Sequence, residues 1–130
     1  FILFARNVAD PGQLGRLTGA LRDSVGRDAP VLIDQEGGRV ARMKPPEWSH
    51  FPAGEAFDLL YDLAPASAIE AARANAEALG ADLAEVGISC THAPVLDVRQ
   101  AGAHDVIGDR ALGEEPMRVA ALGRAPAAGR

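Results

Sequence analysis

Asp34 and Glu36 stand two residues apart at the end of an apolar run, Val31-Leu32-Ile33, and are followed by Gly37-Gly38-Arg39 and by Arg42. In extended chain, alternate side chains share a face, so both carboxylates would point the same way. Two carboxylates in one cleft could serve as acid and base, or acid and nucleophile, in cleaving a glycosidic bond. The same pair could instead finish a strand as solvated acids, and residue types alone leave both readings open. The glycine pair permits positive φ or a close approach of backbone to ligand. It is no phosphate loop, since neither GxxxxGK[ST] nor GxGxxG occurs. A guanidinium at Arg39 or Arg42 could fork onto a carboxylate or onto sugar hydroxyls. For either one alone, a surface ion pair is the simpler expectation.

Other reactive side chains are more scattered. His92 and His104 lack a cysteine or acid at metal-ligand spacing, so no metal site is expected. His92 falls in an apolar run and reads as a hydrogen-bonded core histidine. His104-Asp105 reads as an exposed loop pair, and Arg110 is a lone basic group after Ile107-Gly108-Asp109. Trp48 could stack on a sugar but is expected to anchor its loop on the core. Cys90 is expected to be buried packing. Ser89 and Thr91 have no GxSxG around them.

The elements that must position these groups alternate. Phe1–Phe4 reads as a strand, and Asp10-Pro11 as a helix start with cap and first-turn proline. Leu14, Leu17, Leu21 and Val25 share one helical face, with Gly26 as the stop. Pro30–Ile33 is a second strand, continuous and apolar as a parallel strand covered on both faces would be. A long loop from Gly37 to Pro65 is punctuated by Pro45, Pro46 and Pro52, with a short helix around Glu55–Leu60. Ser67 and Glu70 form a capping box opening a helix whose stripe runs Ile69, Ala72, Ala76, Leu79, Leu83 and Val86. Gly87 ends it, and Ile88–Val98 carries the third strand, finishing at Asp97. Gln100–Gly113 is a second loop. A helix over Glu114–Leu122 is broken by the tail Gly123–Arg130.

Such alternation predicts an α/β fold with a parallel sheet, either a βα barrel or an open doubly wound sheet. Both place functional groups at the C-terminal ends of strands, where Asp34 and Asp97 fall. The chain has 130 residues and a net charge of −5. It holds no basic run, so nucleic acid is not an expected partner. No apolar stretch approaches the ~18–20 residues of a bilayer span, so no membrane association is expected. A lone cysteine excludes an internal disulfide and leans towards the cytosol. Phe1 opens the chain inside an apolar run, without methionine or signal-peptide features, and this reads as a fragment.

The blocks ILFARN, DPGQL, VLIDQEGGRVARM, APVLDV and IGDRALGEEP, in that order, resemble the N-terminal half of bacterial β-N-acetylhexosaminidases of glycoside hydrolase family three. The likeness runs to about Val119. It implies a fragment of a TIM-type (β/α)8 barrel holding about three βα units, not closed by this chain alone. Residues 1–130 would be part of a catalytic domain truncated at both ends, with 123–130 an atypical tail. The implied activity is removal of terminal N-acetylglucosamine from β-linked substrates such as muropeptides, in cytoplasmic cell-wall recycling. The implied route is retaining, with no cofactor. Asp34 matches an aspartate that accepts hydrogen bonds from sugar hydroxyls, Arg42 a substrate-binding arginine, and Arg110 a third substrate contact.

The family's Lys-His pair, its acid/base histidine in a KHFPGHG-type segment and its nucleophilic aspartate have no counterpart here. The resemblance therefore implies part of a sugar site, no catalytic residue, and a chain inactive alone. Asp34 becomes a positioning group and Glu36 a structural partner. Two other identities stay open: a truncated or degenerate sugar-binding fragment, and a family-three β-glucosidase-like hydrolase. The DQEGGRV block favours the hexosaminidase branch.

Overall fold

A computed structural model describes residues 1–127. Three short strands, β1 (Ile2–Leu3), β2 (Leu32–Ile33) and β3 (Cys90–Thr91), form a parallel sheet in the order β1-β2-β3. Ile2 pairs with Leu32, and Ile33 with Thr91. Four helices accompany it: α1 (Pro11–Val25), α2 (Gly54–Leu63), α3 (Pro65–Glu85) and α4 (Pro116–Ala127). The result is an α/β fold whose parallel sheet stays open, as expected of a barrel portion that does not close.

Local signals explain α1 well. The Asp10 carboxylate accepts from the Gln13 backbone N–H at 2.8 Å, Pro11 occupies the first turn, and Gly26 caps the far end. Thr18 on its buried face donates to the Val86 carbonyl at 2.7 Å, which ties α1 to the end of α3. The first core cluster joins Leu14 of α1, Val31 and Ile33 around β2, Leu79 and Leu83 of α3, and Met43 and Phe51 of the long loop. Trp48 packs against it as the loop anchor the sequence suggested. A second cluster lies between α2, α3 and α4, around Phe57, Ala72, Leu112 and Leu122.

Four expectations are corrected. The third strand is Cys90–Thr91 rather than Ile88–Val98. Pro94 has no N–H to give a ladder, and the chain leaves the sheet before it. Cys90 is exposed, because β3 is an edge strand with no described neighbour on its outer side. The long helix begins at Pro65, not at a Ser67 cap, and Glu70 pairs with Arg73 at 2.9 Å instead. Pro65 also separates the helices, since it forces Ala64 out of the helical region (φ −155°, ψ 84°). Finally, α4 runs through Gly123 to Ala127, where a tail was expected. Gly123 has no side chain to collide with Leu96, so the helix lies close against that residue. The remainder of that tail, 128–130, lies outside the described residues. Among the described residues, no helix is long and apolar enough to cross a membrane.

Candidate functional site

The loops leaving the C-terminal ends of β2 and β3 meet in an open cleft lined by Asp34, Glu36, Arg42, His92, Asp97 and Arg110. Two glycines make the β2 side possible. Gly37 (φ 106°) and Gly38 (φ 54°) lie in backbone regions that L side chains rarely adopt. A Cβ on Gly37 would collide with the Pro52 carbonyl oxygen, and one on Gly38 would sit 2.6 Å from the Ala53 Cβ. The tight turn so formed is bridged between Gly37 and Val40 and seated by the Gly38 N–H on the Phe51 carbonyl at 2.8 Å. It reverses the chain and returns Arg42 to Asp34.

Gln35 locks that return. Its side chain, buried with 2% exposure, accepts from the Arg42 and Met43 N–H groups at 2.8 and 3.0 Å and donates to the Met43 carbonyl at 2.9 Å. On the other side, the Thr91 hydroxyl accepts from the Gln35 N–H and donates to its carbonyl, both at 3.0 Å. Ser89 makes the same two contacts with Val31 at 2.9 and 3.2 Å. These hydroxyls extend the β2–β3 pairing, which explains their presence without any nucleophilic role.

Asp34 holds two cationic or polar partners, one per oxygen. Arg42 Nη2 donates to Oδ2 at 3.1 Å, and His92 Nδ1 lies 2.8 Å from Oδ1. The hydrogen bond from His92 and the Arg42 guanidinium hold its carboxyl below the usual carboxylate range, against an opposing push from burial. Glu36 makes a bidentate pair with Arg110, Oε2 to Nε and Oε1 to Nη2, both at 2.8 Å. Arg110 is held charged by Glu36 first and, through space, by Asp97 and Asp34, against burial. Both acids do share a cleft, as their spacing suggested, but each is neutralised by its own arginine.

Arg39 turns away from the cleft. Its Nε donates to Asp109 at 2.7 Å, and its Nη2 donates to the carbonyls of Asp105, Val106 and Ile107 at 3.0, 2.8 and 3.2 Å. It thereby staples the 105–110 segment to the β2 turn. The base of the same loop is fixed by Asp58, whose side chain is 8% exposed. Asp58 accepts from Arg99 at 3.0 Å and from Arg118 at 2.6 Å, while the Arg99 N–H donates to the Gly113 carbonyl at 2.9 Å. The loop carrying Arg110 and Asp97 is thus held at both ends by side chains.

Asp34, Arg42 and Arg110 are therefore brought together in one cleft. His92 is a correction: it follows β3 rather than sitting within it, is half exposed, and contacts Asp34. The register could have revealed it. Ile33 pairs with Thr91, so Asp34 and His92 are the next residues along two neighbouring parallel strands. His104 lies outside the cleft and accepts from the Val106 N–H at 3.0 Å. Among the described residues, no group of three His, Cys, Asp or Glu side chains is placed to hold a metal ion.

The chain has known relatives along nearly its whole length. Residues 1–129 match the family described as glycosyl hydrolase family 3 N terminal domain. A beta-hexosaminidase of Xanthomonas campestris pv. campestris is 36% identical over 124 residues, 95% of this chain and 37% of the relative. One from Aromatoleum aromaticum is 34% identical over 128 residues, 98% of this chain and 36% of its own length. NagZ from Neisseria gonorrhoeae, solved in complex with N-trifluoroacetyl-D-glucosamine, superposes with a TM-score of 0.89 at 31% identity. That match covers 96% of this chain and 36% of NagZ. A family 3 beta-N-acetylglucosaminidase from Paenibacillus superposes with a TM-score of 0.84 at 32% identity, covering 96% of this chain and 23% of that one. The chain spans little more than a third of the length of the curated relatives it matches.

Proposed function

Because the chain belongs to glycosyl hydrolase family 3, we propose that its cleft is part of the sugar-binding site of a β-N-acetylhexosaminidase. The observation that supports this reading is the Asp34 carboxylate, kept ionised between Arg42 and His92 at the mouth of an open cleft. An ionised carboxylate is a pure acceptor with lone pairs to spare, suited to hold vicinal sugar hydroxyls. Arg42 lines the same wall and donates to ring substituents. Arg110 keeps N–H groups on Nη1 and Nη2 beyond those given to Glu36 and Val106. Those groups serve as the third contact with the sugar.

In this reading the substrate is a terminal N-acetylglucosamine in β linkage, muropeptide fragments included, and the setting is cytoplasmic cell-wall recycling. The route is retaining: a carboxylate attacks the anomeric carbon and water later releases the glycosyl-enzyme. In this reading the attacking aspartate and the acid/base histidine lie outside residues 1–130. The contribution of this chain is to bind and orient the sugar. The single experiment is a titration of the 130-residue chain with N-acetyl-D-glucosamine and with glucose, followed by NMR, beside hydrolysis of an aryl N-acetyl-β-glucosaminide. The acetamido sugar binds in preference to glucose, Asp34→Ala abolishes binding, and the chain alone does not hydrolyse the glycoside. Preference for glucose would favour the β-glucosidase branch, and turnover surviving Asp34→Ala would overturn the assigned role.

A further inference from the structure

Resting on the reading of the cleft as a sugar site, we propose that His92 is a further substrate-contacting residue. Its Nδ1–H orients Asp34, and its Nε2 accepts a hydrogen bond from a hydroxyl of the bound pyranose. The geometry fixes the tautomer. An ionised carboxylate can only accept, so Nδ1, at 2.8 Å from Asp34 Oδ1, must carry the proton. In a neutral imidazole the other nitrogen is then bare and accepts. Among the described residues, no hydrogen bond engages Nε2, and the ring is 52% exposed along the cleft wall. Orienting Asp34 alone would need only one donor. The ring adds a second nitrogen beside the carboxylate, placed to serve the next hydroxyl of a vicinal pair.

The charged and titratable groups sharing the cleft with His92 are Asp34, Glu36 and Arg42 from the β2 segment, Asp97 from the loop after β3, and Arg110. The arginines only donate, and the ionised Asp34 only accepts. Nε2 of His92 adds an uncharged acceptor beside them, so a hydroxyl next to the one held by Asp34 finds a partner on the same wall.

The test titrates N-acetyl-D-glucosamine into the 130-residue chain by NMR at one fixed pH, using wild type, His92→Asn, His92→Phe and Asp34→Ala. His92→Asn retains a donor for Asp34 but has no Nε2. It binds about fivefold more weakly than wild type, the worth of one neutral hydrogen bond. His92→Phe, which lacks the donor as well, binds more weakly still. Equal affinity of His92→Asn and wild type overturns the role of His92 while leaving the sugar site standing, provided that Asp34→Ala abolishes binding. Absence of saturable binding in wild type, or full binding by Asp34→Ala, overturns the sugar-site reading and this inference with it.

Discussion

Replacing Glu36 with glutamine tests whether the cleft is held by charge. Glu36 and Arg110 make two parallel hydrogen bonds of 2.8 Å with side chains 10% and 23% exposed, so the pair is neither a surface bridge nor fully buried. Exposed pairs are worth at most ~1 kcal/mol, whereas removing one partner from a buried pair costs ~3–5 kcal/mol. Glutamine keeps one acceptor for Arg110 but loses the charge and turns an N–H group towards the guanidinium. Arg110 still has the Val106 carbonyl at 3.2 Å and some access to water. The expected loss is therefore about 2 kcal/mol, between the two limits. For a chain of this size that lowers Tm by roughly 6–10 °C. Urea and thermal unfolding followed by circular dichroism measure it. The Glu36→Gln/Arg110→Met double variant, which removes both charges, should recover part of the loss relative to the sum of the single changes. A Glu36→Gln loss below about 0.5 kcal/mol, or strict additivity in the cycle, would refute the view that this ion pair fixes the second loop.

Asp58→Asn should destabilise the chain by about 2–3 kcal/mol in urea unfolding, because it weakens charge-assisted hydrogen bonds to both Arg99 and Arg118, which keep Glu55, Glu114 and Asp62 as other partners. Asp34, its carboxyl lowered chiefly by the His92 hydrogen bond, contributes stability that is complete above its unfolded-state value of about 3.9 and lost as pH falls from there through the lower native value. Between about pH 5 and about pH 3, wild type should thus lose more stability than Asp34→Asn, and equal slopes would contradict the assignment.

What could be read from the sequence was whatever its own neighbours determine. Helix α1 is legible because Asp10, Pro11 and Gly26 act within a turn of where they stand. Strand ends are less so: β3 stops at Thr91 because of what pairs with it, and no local signal separates it from Ile88–Val98. The Ser67 box matched a motif, yet Pro65 two residues earlier already started the helix, and a proline at the first turn is the stronger constraint. Gly123 looked like a breaker but is where Leu96 meets α4. At the site, Asp34, Arg42 and Arg110 were singled out by block resemblance, and their meeting in one cleft is visible only in the fold. His92 and Gln35 escaped because their partners depend on strand register and on a chain reversal. Glu36 reads from the sequence as a structural partner, and its bidentate contact with Arg110 is the contact such a partner makes.

The ties that shape the cleft also determine when it can exist. Asp34 meets His92 across 58 residues, Arg39 meets Asp109 across 70, and Glu36 meets Arg110 across 74. Each contact requires the closing of a long loop, whose entropic cost precedes any return from the contact itself. Helices α1 and α3 draw on bonds a few residues apart and need not wait. The β2–β3 pairing spans the same 58 residues as the contact between Asp34 and His92. The surface proposed to grip the sugar therefore exists only where distant parts of the chain have met, and its integrity reports that the long-range order of the chain is in place.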